Sequence, residues 1–213
     1  TLKDFDDVVK GDRSILAGHA RQPTRGASTI ENVHPHRSEN IILMHNGTMS
    51  HVGGTHITAG NSDSKAIARY LTDHTPQEFV QNSYGAYALV WIDLTKQTLN
   101  FLRNGERTLW FASDHFSSNE NSATEALWWA SEAPFIQLVL SRYVGYAKER
   151  IKYFPLPKDE HWSFPLNVNT FISDATIIRA NPFEDHLLLT YCAFAPDWFY
   201  PFINLFGFLW KRK

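Results

Sequence analysis

An Asn-Gly pair interrupts the apolar segment "NIILMHNG" at Asn46 and Gly47. If a buried strand ends there, the Asn side-chain amide and the Gly backbone N–H are directed at one point, an arrangement that stabilises an oxyanion formed during acyl transfer. The alternative is a tight turn, because Asn-Gly is the pair most typical of type I′ turns. Taken alone, the pair favours the turn.

Three further residues carry groups that would complete a site of this kind. Arg21, in "GHARQPTRG", offers a planar cation that can bind a carboxylate through two hydrogen bonds, and Thr24 adds a hydroxyl and a backbone donor. Asp63, in "NSD", lies at a predicted helix start and offers a negative charge. Together with an oxyanion site, these groups fit an amino acid whose side chain ends in a carbonyl. The predicted substrate is therefore glutamine or asparagine.

The elements that would position these residues are predicted from apolar periodicity. The segments "SILAGHA" and "NIILMHNG" are typical of short buried strands, the second ending at Gly47. Residues 61–73 show apolar side chains at helical spacing behind an Asn/Ser cap. The next segment, "TPQEFVQN", begins with Thr75 as a cap, Pro76 at the first helical position and Glu78 to complete a capping box. Two successive helices are expected.

The rest of the chain is rich in predicted strands. The segments "GAYALVWIDL", "QTLNFLRN" and "RTLWFAS" are joined by short polar turns, which predicts an antiparallel meander. "TEALWWAS" predicts another strand and "APFIQLVLSRYVGYAKE" a helix opening with Pro134; "HWSFPLN", "DATIIRA" and "HLLLTYCAFA" predict short strands. Strands in runs, with the helices grouped together, favour an α+β fold with antiparallel sheets over a parallel doubly wound fold.

Composition narrows the possible partners and location. Of the 213 residues 43% are hydrophobic, which is ample for one sizeable core. The formal charge is -2 and the largest basic cluster is residues 211–213, so no nucleic-acid partner is predicted. Cys192 is the single cysteine, which excludes an internal disulfide, and the first residues do not resemble a signal peptide. A cytoplasmic location is expected.

The aromatic stretch "DWFYPFINLFGFLWKRK" ends the sequence. Its longest uncharged run, residues 198–210, is well short of the roughly 20 residues needed to span a bilayer, and Pro201 interrupts it. The basic residues 211–213 permit interfacial contact with a membrane. We expect instead that the stretch packs on the core or against a partner subunit, because large aromatic surfaces mark interfaces when they are exposed.

Histidines offer a rival chemistry. His34, His36, His45, His51 and His56 are dense enough to suggest a metal site. They lack a tight ligand spacing such as His-Glu-x-x-His, and no cysteine supports them. We therefore predict neither a metal site nor another cofactor.

The segments "GHARQPTRG", "ENVHPH", "IILMHNGTM", "NSDSKAIARYL", "GAYALVWID", "LRNGERTLWFA" and "WWASEA", in this order, resemble the glutaminase domain of class II glutamine amidotransferases. This module is found in glucosamine-6-phosphate synthase, amidophosphoribosyltransferase and asparagine synthetase. The resemblance covers roughly residues 10–140 and implies the four-layer αββα fold of N-terminal nucleophile hydrolases. Residues 1–160 would form a partial glutaminase-like domain, and residues 161–213 would add C-terminal strands and an aromatic extension to it.

The resemblance also implies roles for particular residues. Arg21 matches the arginine that binds the substrate carboxylate, with Thr24 nearby, and Asp63 matches the residue that holds the substrate amine. Asn46 and Gly47 match the oxyanion hole. The implied reaction is the release of ammonia from L-glutamine, which passes to a synthase or other acceptor enzyme present as a further domain or subunit. His34 and His45 would then be structural.

The nucleophile is the largest departure from the family pattern. These enzymes attack with an N-terminal Cys whose own α-amine is the base, several dozen positions before the Gly-His-x-Arg block. Here 17 residues precede Gly18, and Cys192 lies in an apolar segment where an inert buried thiol is the ordinary outcome. Thr1 begins a predicted capped helix over residues 1–10 and not a strand.

We therefore expect the catalytic Cys and the first strands to lie outside these 213 residues. Two alternatives remain open. One is a non-catalytic relative that uses the glutamine pocket as a binding, sensor or assembly subunit. The other, which the residues favour less, is an amidohydrolase with Thr1 as its nucleophile.

Overall fold

The computed structural model describes residues 15–20, 29–113, 126–141, 151–166, 176–179 and 206–210. The described strands are β1 (Ile15–Gly18), β2 (His36–Ser38), β3 (Ile41–Val52), β4 (Thr55–His56), β5 (Tyr84–Asp93), β6 (Thr98–Arg103), β7 (Trp110–Ser113), β8 (Ala126–Ala130), β9 (Lys152–Pro155), β10 (Glu160–Pro165), β11 (Thr176–Arg179) and β12 (Phe206–Trp210). The described α-helices are α1 (Asp63–Asp73), α2 (Pro76–Asn82) and α3 (Ala133–Val139), and a 3-10 turn covers Ile30–Asn32. The helix predicted over residues 1–10 and the strand "HLLLTYCAFA" lie outside the described residues.

The described strands form two antiparallel sheets. The seven-stranded sheet has the order β11-β10-β6-β5-β3-β2, with β4 paired to the end of β3. The five-stranded sheet has the order β1-β12-β8-β7-β9. The longest pairing joins β3 to β5, from Ile41 opposite Asp93 to Met49 opposite Gly85. This pair is the frame on which the candidate site is built.

Three hydrophobic clusters show how the layers stack. In the first, side chains of α1 and α2 such as Ile67 and Phe79 pack on Leu43 and Leu89 of the seven-stranded sheet. The second fills the space between the sheets, where Met44, Val90 and Phe101 meet residues of the five-stranded sheet such as Phe111 and Trp129. In the third, Ile136 of α3 packs on Trp128. The order is helices, sheet, sheet, helix, so the predicted four-layer αββα fold is confirmed.

Local sequence explains why α1 and α2 begin where they do. The Ser62 side chain accepts a hydrogen bond from Lys65 N–H at the start of α1. At the start of α2 the capping box is complete: Glu78 N–H donates to Thr75 Oγ1 at 3.2 Å and Thr75 N–H donates to Glu78 Oε2 at 2.7 Å. Because each bond satisfies an amide with no partner inside its helix, the start sites are fixed by nearby residues.

The predicted three-stranded meander is wrong in its last strand. β5 and β6 pair in the seven-stranded sheet, but β7 pairs with β8 and β9 in the other sheet. Arg103, the last residue of β6, donates hydrogen bonds to the carbonyls of Leu156, Asn104 and Arg107. These bonds hold the connection as a crossing between sheets and not as a hairpin.

Part of the terminal aromatic stretch forms a strand inside a sheet. β12 lies between β1 and β8, with Phe208 opposite Leu16 on one side and Trp128 on the other. In the part of the chain that the structure describes, no helix is long and apolar enough to cross a membrane.

A buried histidine makes stability depend on pH. His161 of β10 stacks on Trp91 with ring centroids 5.2 Å apart, and its Nε2 lies 3.0 Å from Asn100 Oδ1. Burial, assisted by the positive charge of Lys96, lowers the pKa of His161 to about 4. Since the imidazole of an unfolded chain titrates near 6.5, the unfolded state binds a proton first as the pH falls.

We expect the free energy of unfolding to fall by about 2 kcal/mol between pH 7.5 and pH 5 on account of His161. The stability is present above the unfolded pKa and is lost as the pH falls towards 4. Urea unfolding at the two pH values measures it, and His161→Gln should flatten this part of the profile. An unchanged pH dependence in the variant would show that another group is responsible.

Candidate active site

Asn46 and Gly47 lie in the middle of β3, because the strand continues to Val52. The predicted strand end at Gly47 is therefore wrong, and so is the alternative of a type I′ turn. The strand continues because Met49 and Val52 are buried and residues 48–52 pair onward with β5 and β4. The reversal comes after Val52, before β4 begins at Thr55.

Gly47 has a backbone conformation that other residues rarely adopt. Its φ is +148°, and a Cβ built there would lie 1.9 Å from the carbonyl oxygen of Ala86 and 2.9 Å from His45 Nε2. Gly85, on the facing strand, has φ +137°, and its Cβ would lie 2.5 Å from Thr48 O. At both positions an added Cβ would collide with the backbone of the facing strand, so only glycine fits.

Asp63, the first residue of α1, is tied to the same strand. Its Oδ2 accepts a hydrogen bond from Met49 N–H at 2.8 Å, and its Oδ1 accepts one from Ser64 N–H at 2.9 Å. The residue is buried. The predicted amine-binding carboxylate is thus bonded to the strand that carries the predicted oxyanion pair, since Met49 lies three positions after Asn46 and two after Gly47.

His45 makes a second connection between β3 and α1. Its Nδ1 lies 3.0 Å from Ser64 Oγ, and its Nε2 lies 3.5 Å from Ala86 O. Because a carbonyl can only accept, we infer that Nε2 carries the proton and that the Ser64 hydroxyl donates to Nδ1. Burial lowers the pKa of His45, although the negative charge of Asp63 acts in the opposite direction. The lowered pKa favours the neutral ring.

Two neighbours of this site were not predicted from the sequence as part of it. Ser64 follows Asp63 and contacts His45, and Gly85 avoids a collision with the backbone at Thr48 and Met49. A signal for Gly85 exists in "SYGAYALVW", since a glycine inside a strand pattern often marks a bulge or a close backbone approach. Nothing in the sequence marks Ser64 apart from its place at a helix start.

The structure does not test all of the predicted site. Arg21 and Thr24, and the two nucleophile candidates Thr1 and Cys192, lie outside the described residues. The residues just before Arg21 are described. The rings of His19 and His34 stack with centroids 4.0 Å apart, and the ring centroids of His34 and His36 are 4.5 Å apart. Within the described ranges, no group of three or more His, Cys, Asp or Glu is arranged to hold a metal ion.

Comparisons with known proteins bear on the class of the chain. A scan against models of protein families gives no match. The chain is 30% identical, over 109 residues, to a protein of Acanthamoeba polyphaga mimivirus described as a probable glutamine-fructose-6-phosphate aminotransferase (isomerizing). This match covers 43% of the chain, which spans 18% of the length of that relative.

Among solved structures, the chain is similar to the glutamine phosphoribosylpyrophosphate (PRPP) amidotransferase from B. subtilis complexed with ADP and GMP. The TM-score is 0.47 and the sequence identity 17%, over 74% of this chain and 34% of that chain.

The described residues form a layered α+β arrangement, with two antiparallel sheets packed between helices. The local sequence match to the viral protein confirms the resemblance to class II glutamine amidotransferases that the motifs indicate.

Proposed function

We propose that the chain is the pocket-bearing part of a class II glutaminase, which hydrolyses L-glutamine to glutamate and ammonia in the cytoplasm. One observation carries the proposal. The Asp63 carboxylate is bonded to Met49 N–H at 2.8 Å on the strand that presents Asn46 and Gly47. A group for the substrate amine and a pair of donors for its side-chain carbonyl therefore belong to one rigid unit.

The roles follow from the chemistry of acyl transfer. A tetrahedral intermediate places negative charge on the former amide oxygen, and the Asn46 amide and the Gly47 N–H would donate hydrogen bonds to it. These donors sit on a paired strand, so little reorganisation is needed when the charge forms. Arg21 would bind the α-carboxylate and Thr24 would add a further donor.

Asp63 would bind the α-ammonium while it keeps its two backbone partners. Each carboxylate oxygen has two lone pairs, and the bonds from Met49 and Ser64 use one on each. One lone pair per oxygen is left for the ammonium. The backbone bonds also hold the carboxylate in one orientation, which the amine of the substrate would then meet without rearrangement.

The nucleophile in this proposal is a Cys outside these 213 residues. Its thiolate attacks the amide carbon, the C–N bond breaks as the leaving nitrogen takes a proton from the Cys α-ammonium, and water then hydrolyses the thioester to glutamate. The ammonia passes to an acceptor enzyme in another domain or subunit. No cofactor is required by this chemistry.

The first experiment is the intact mass and N-terminal sequence of the polypeptide as its source makes it, followed by an assay for glutamate release. A Cys-led segment together with glutamate release supports the proposal. Replacement of the leading Cys by Ala should abolish the release of glutamate. A source polypeptide with no such Cys, or one that has it and releases no glutamate, contradicts the proposal.

A second candidate function is a non-catalytic subunit that binds glutamine or supports assembly. The same contacts of Asp63 favour this candidate, since a carboxylate that accepts hydrogen bonds from two backbone N–H groups stabilises the fold without any catalytic role. This candidate predicts glutamine binding by calorimetry without glutamate release.

Arg21→Ala should raise the KM for glutamine with a smaller effect on turnover, because a carboxylate remote from the reacting amide is bound equally in the ground and transition states. Steady-state kinetics of the complete enzyme measure both constants. An unchanged KM would remove Arg21 from the substrate-binding set. Arg69→Ala, on the outer part of α1, is the control and should leave both constants unchanged.

A further inference from the structure

We propose that His51 and His56 form a two-histidine site for a divalent transition metal ion, Cu²⁺ or Zn²⁺, on the hairpin made by β3 and β4. The two residues are direct partners across the hairpin, so their side chains share one face. Their ring centroids are 5.0 Å apart. His56 is exposed and His51 half-buried, which leaves the face open to an ion from solvent.

The separation of the rings matches chelation. An imidazole nitrogen binds Zn²⁺ at about 2.0–2.1 Å, which places the ion about 3.2 Å from the ring centroid. Two rings around one ion are then about 4.5 Å apart for a right angle at the metal and about 5.2 Å apart for a tetrahedral angle. The observed 5.0 Å lies between these values, and the ring planes are inclined at 70°, so rotation about the side-chain bonds would let both rings share one ion.

A hydrogen-bond chain selects the ring nitrogen of His51 that is available. Ser50 Oγ donates its single proton to Tyr84 O at 3.0 Å. His51 Nδ1 lies 3.2 Å from Ser50 Oγ. Because the Ser50 proton is used in the bond to Tyr84 O, His51 Nδ1 must carry a proton and donate it to Ser50 Oγ. The lone pair of His51 is therefore on Nε2. A ligating histidine ordinarily donates its other N–H in this way, which fixes the ring and raises its basicity.

The hairpin that carries the pair is pinned from both sides. Gly54 N–H donates to Asn82 O at 2.6 Å, Gly53 N–H donates to Ser83 Oγ at 3.0 Å, and Ile57 N–H donates to Ser50 O at 2.8 Å. Binding then costs little ordering of the backbone.

The donor set decides the class of ion. Two neutral imidazoles suit Cu²⁺, Ni²⁺ and Zn²⁺, with Cu²⁺ bound most tightly, whereas Mg²⁺ and Ca²⁺ require oxygen ligands. Among the described residues no third His, Cys, Asp or Glu completes the group, so water fills the remaining positions. The site does not depend on the proposed glutaminase activity.

The test is calorimetric titration and thermal unfolding of the full chain with CuCl₂, ZnCl₂ and MgCl₂. We expect one equivalent of Cu²⁺ and of Zn²⁺ to bind and to raise the Tm, and MgCl₂ to have no effect. His51→Asn and His56→Asn should each abolish this binding. The control is His74→Asn, which replaces an exposed histidine just after α1 and should retain the binding. Ser50→Ala should weaken it by a factor of roughly 10–100 through the lost bond to Nδ1.

Absence of binding at millimolar metal would overturn the proposal. Binding that persists in the His51→Asn/His56→Asn double variant would also overturn it, since the ion would then occupy other histidines. Circular dichroism of each variant without metal shows that the fold is retained, so a lost signal reports the site and not unfolding.

Discussion

If the proposed glutaminase activity is present, Asn46→Ala is expected to lower its turnover by a factor of roughly 10²–10³, or about 2.7–4 kcal/mol of transition-state stabilisation. The side-chain amide is proposed to donate to the oxyanion, which carries full charge only in the transition state and the intermediate. Its removal should therefore lower kcat and leave the KM for glutamine nearly unchanged.

The measurement is steady-state glutamate release by the complete enzyme and its variants. Asn82→Ala is the matched control, because Asn82 is an exposed asparagine at the end of α2 whose side chain bonds to Glu78 O. We expect the control to keep its activity. If Asn46→Ala left kcat unchanged, the oxyanion assignment would be wrong whatever the fold.

The elements set by neighbouring residues could be predicted from the sequence. The capping box of Thr75 and Glu78 is spelled out within four positions, and the structure confirms both of its hydrogen bonds. The apolar spacing of α1 likewise predicts the buried face that carries Ile67 and Leu71. Such features need no knowledge of where the chain goes next.

The features that the sequence could not supply depend on residues far apart in the chain. β7 has a strand pattern, but its place in the second sheet depends on pairing with β8 and β9, and Arg103 at the end of β6 bonds to Leu156 just after β9. The strand Phe206–Trp210 lies within an aromatic run, and its place in the sheet requires one partner, β1, about 190 positions earlier and another, β8, about 80 positions earlier.

The candidate site combines both kinds of information. The motif order identifies Asn46, Gly47 and Asp63, but their connection through Met49 N–H joins a strand to a helix. The prediction that the strand ends at Gly47 is wrong because it also depends on residues far apart in the chain. An Asn-Gly pair is locally typical of a turn, and pairing with β5 overrides that preference because Met49 and Val52 can then be buried.

Gly47→Ala is expected to destabilise the fold by about 3–5 kcal/mol, the sum of backbone strain and a collision with the main chain. The new Cβ would lie 1.9 Å from Ala86 O. A backbone carbonyl in a paired strand cannot rotate away as a side chain can, so β3 and β5 must separate locally. That separation would also displace the Gly47 N–H from the proposed oxyanion site.

Two other glycines separate these contributions. Gly54 has φ +77° and nothing within 4 Å of an added Cβ, so Gly54→Ala should cost only the strain of the left-handed region, about 1 kcal/mol. Gly60 has the same open space and no such φ, so Gly60→Ala should change stability by less than about 0.5 kcal/mol. Urea unfolding of the three variants gives the series.

A cost at position 47 well above that at position 54 is the result expected from the collision with Ala86 together with the greater strain of φ +148°. Equal costs at the two positions would mean that an added Cβ at position 47 does not collide with Ala86 O. The requirement for glycine at position 47 would then rest on its φ alone. The stability series therefore tests the geometry of the proposed oxyanion site without any need for the nucleophile.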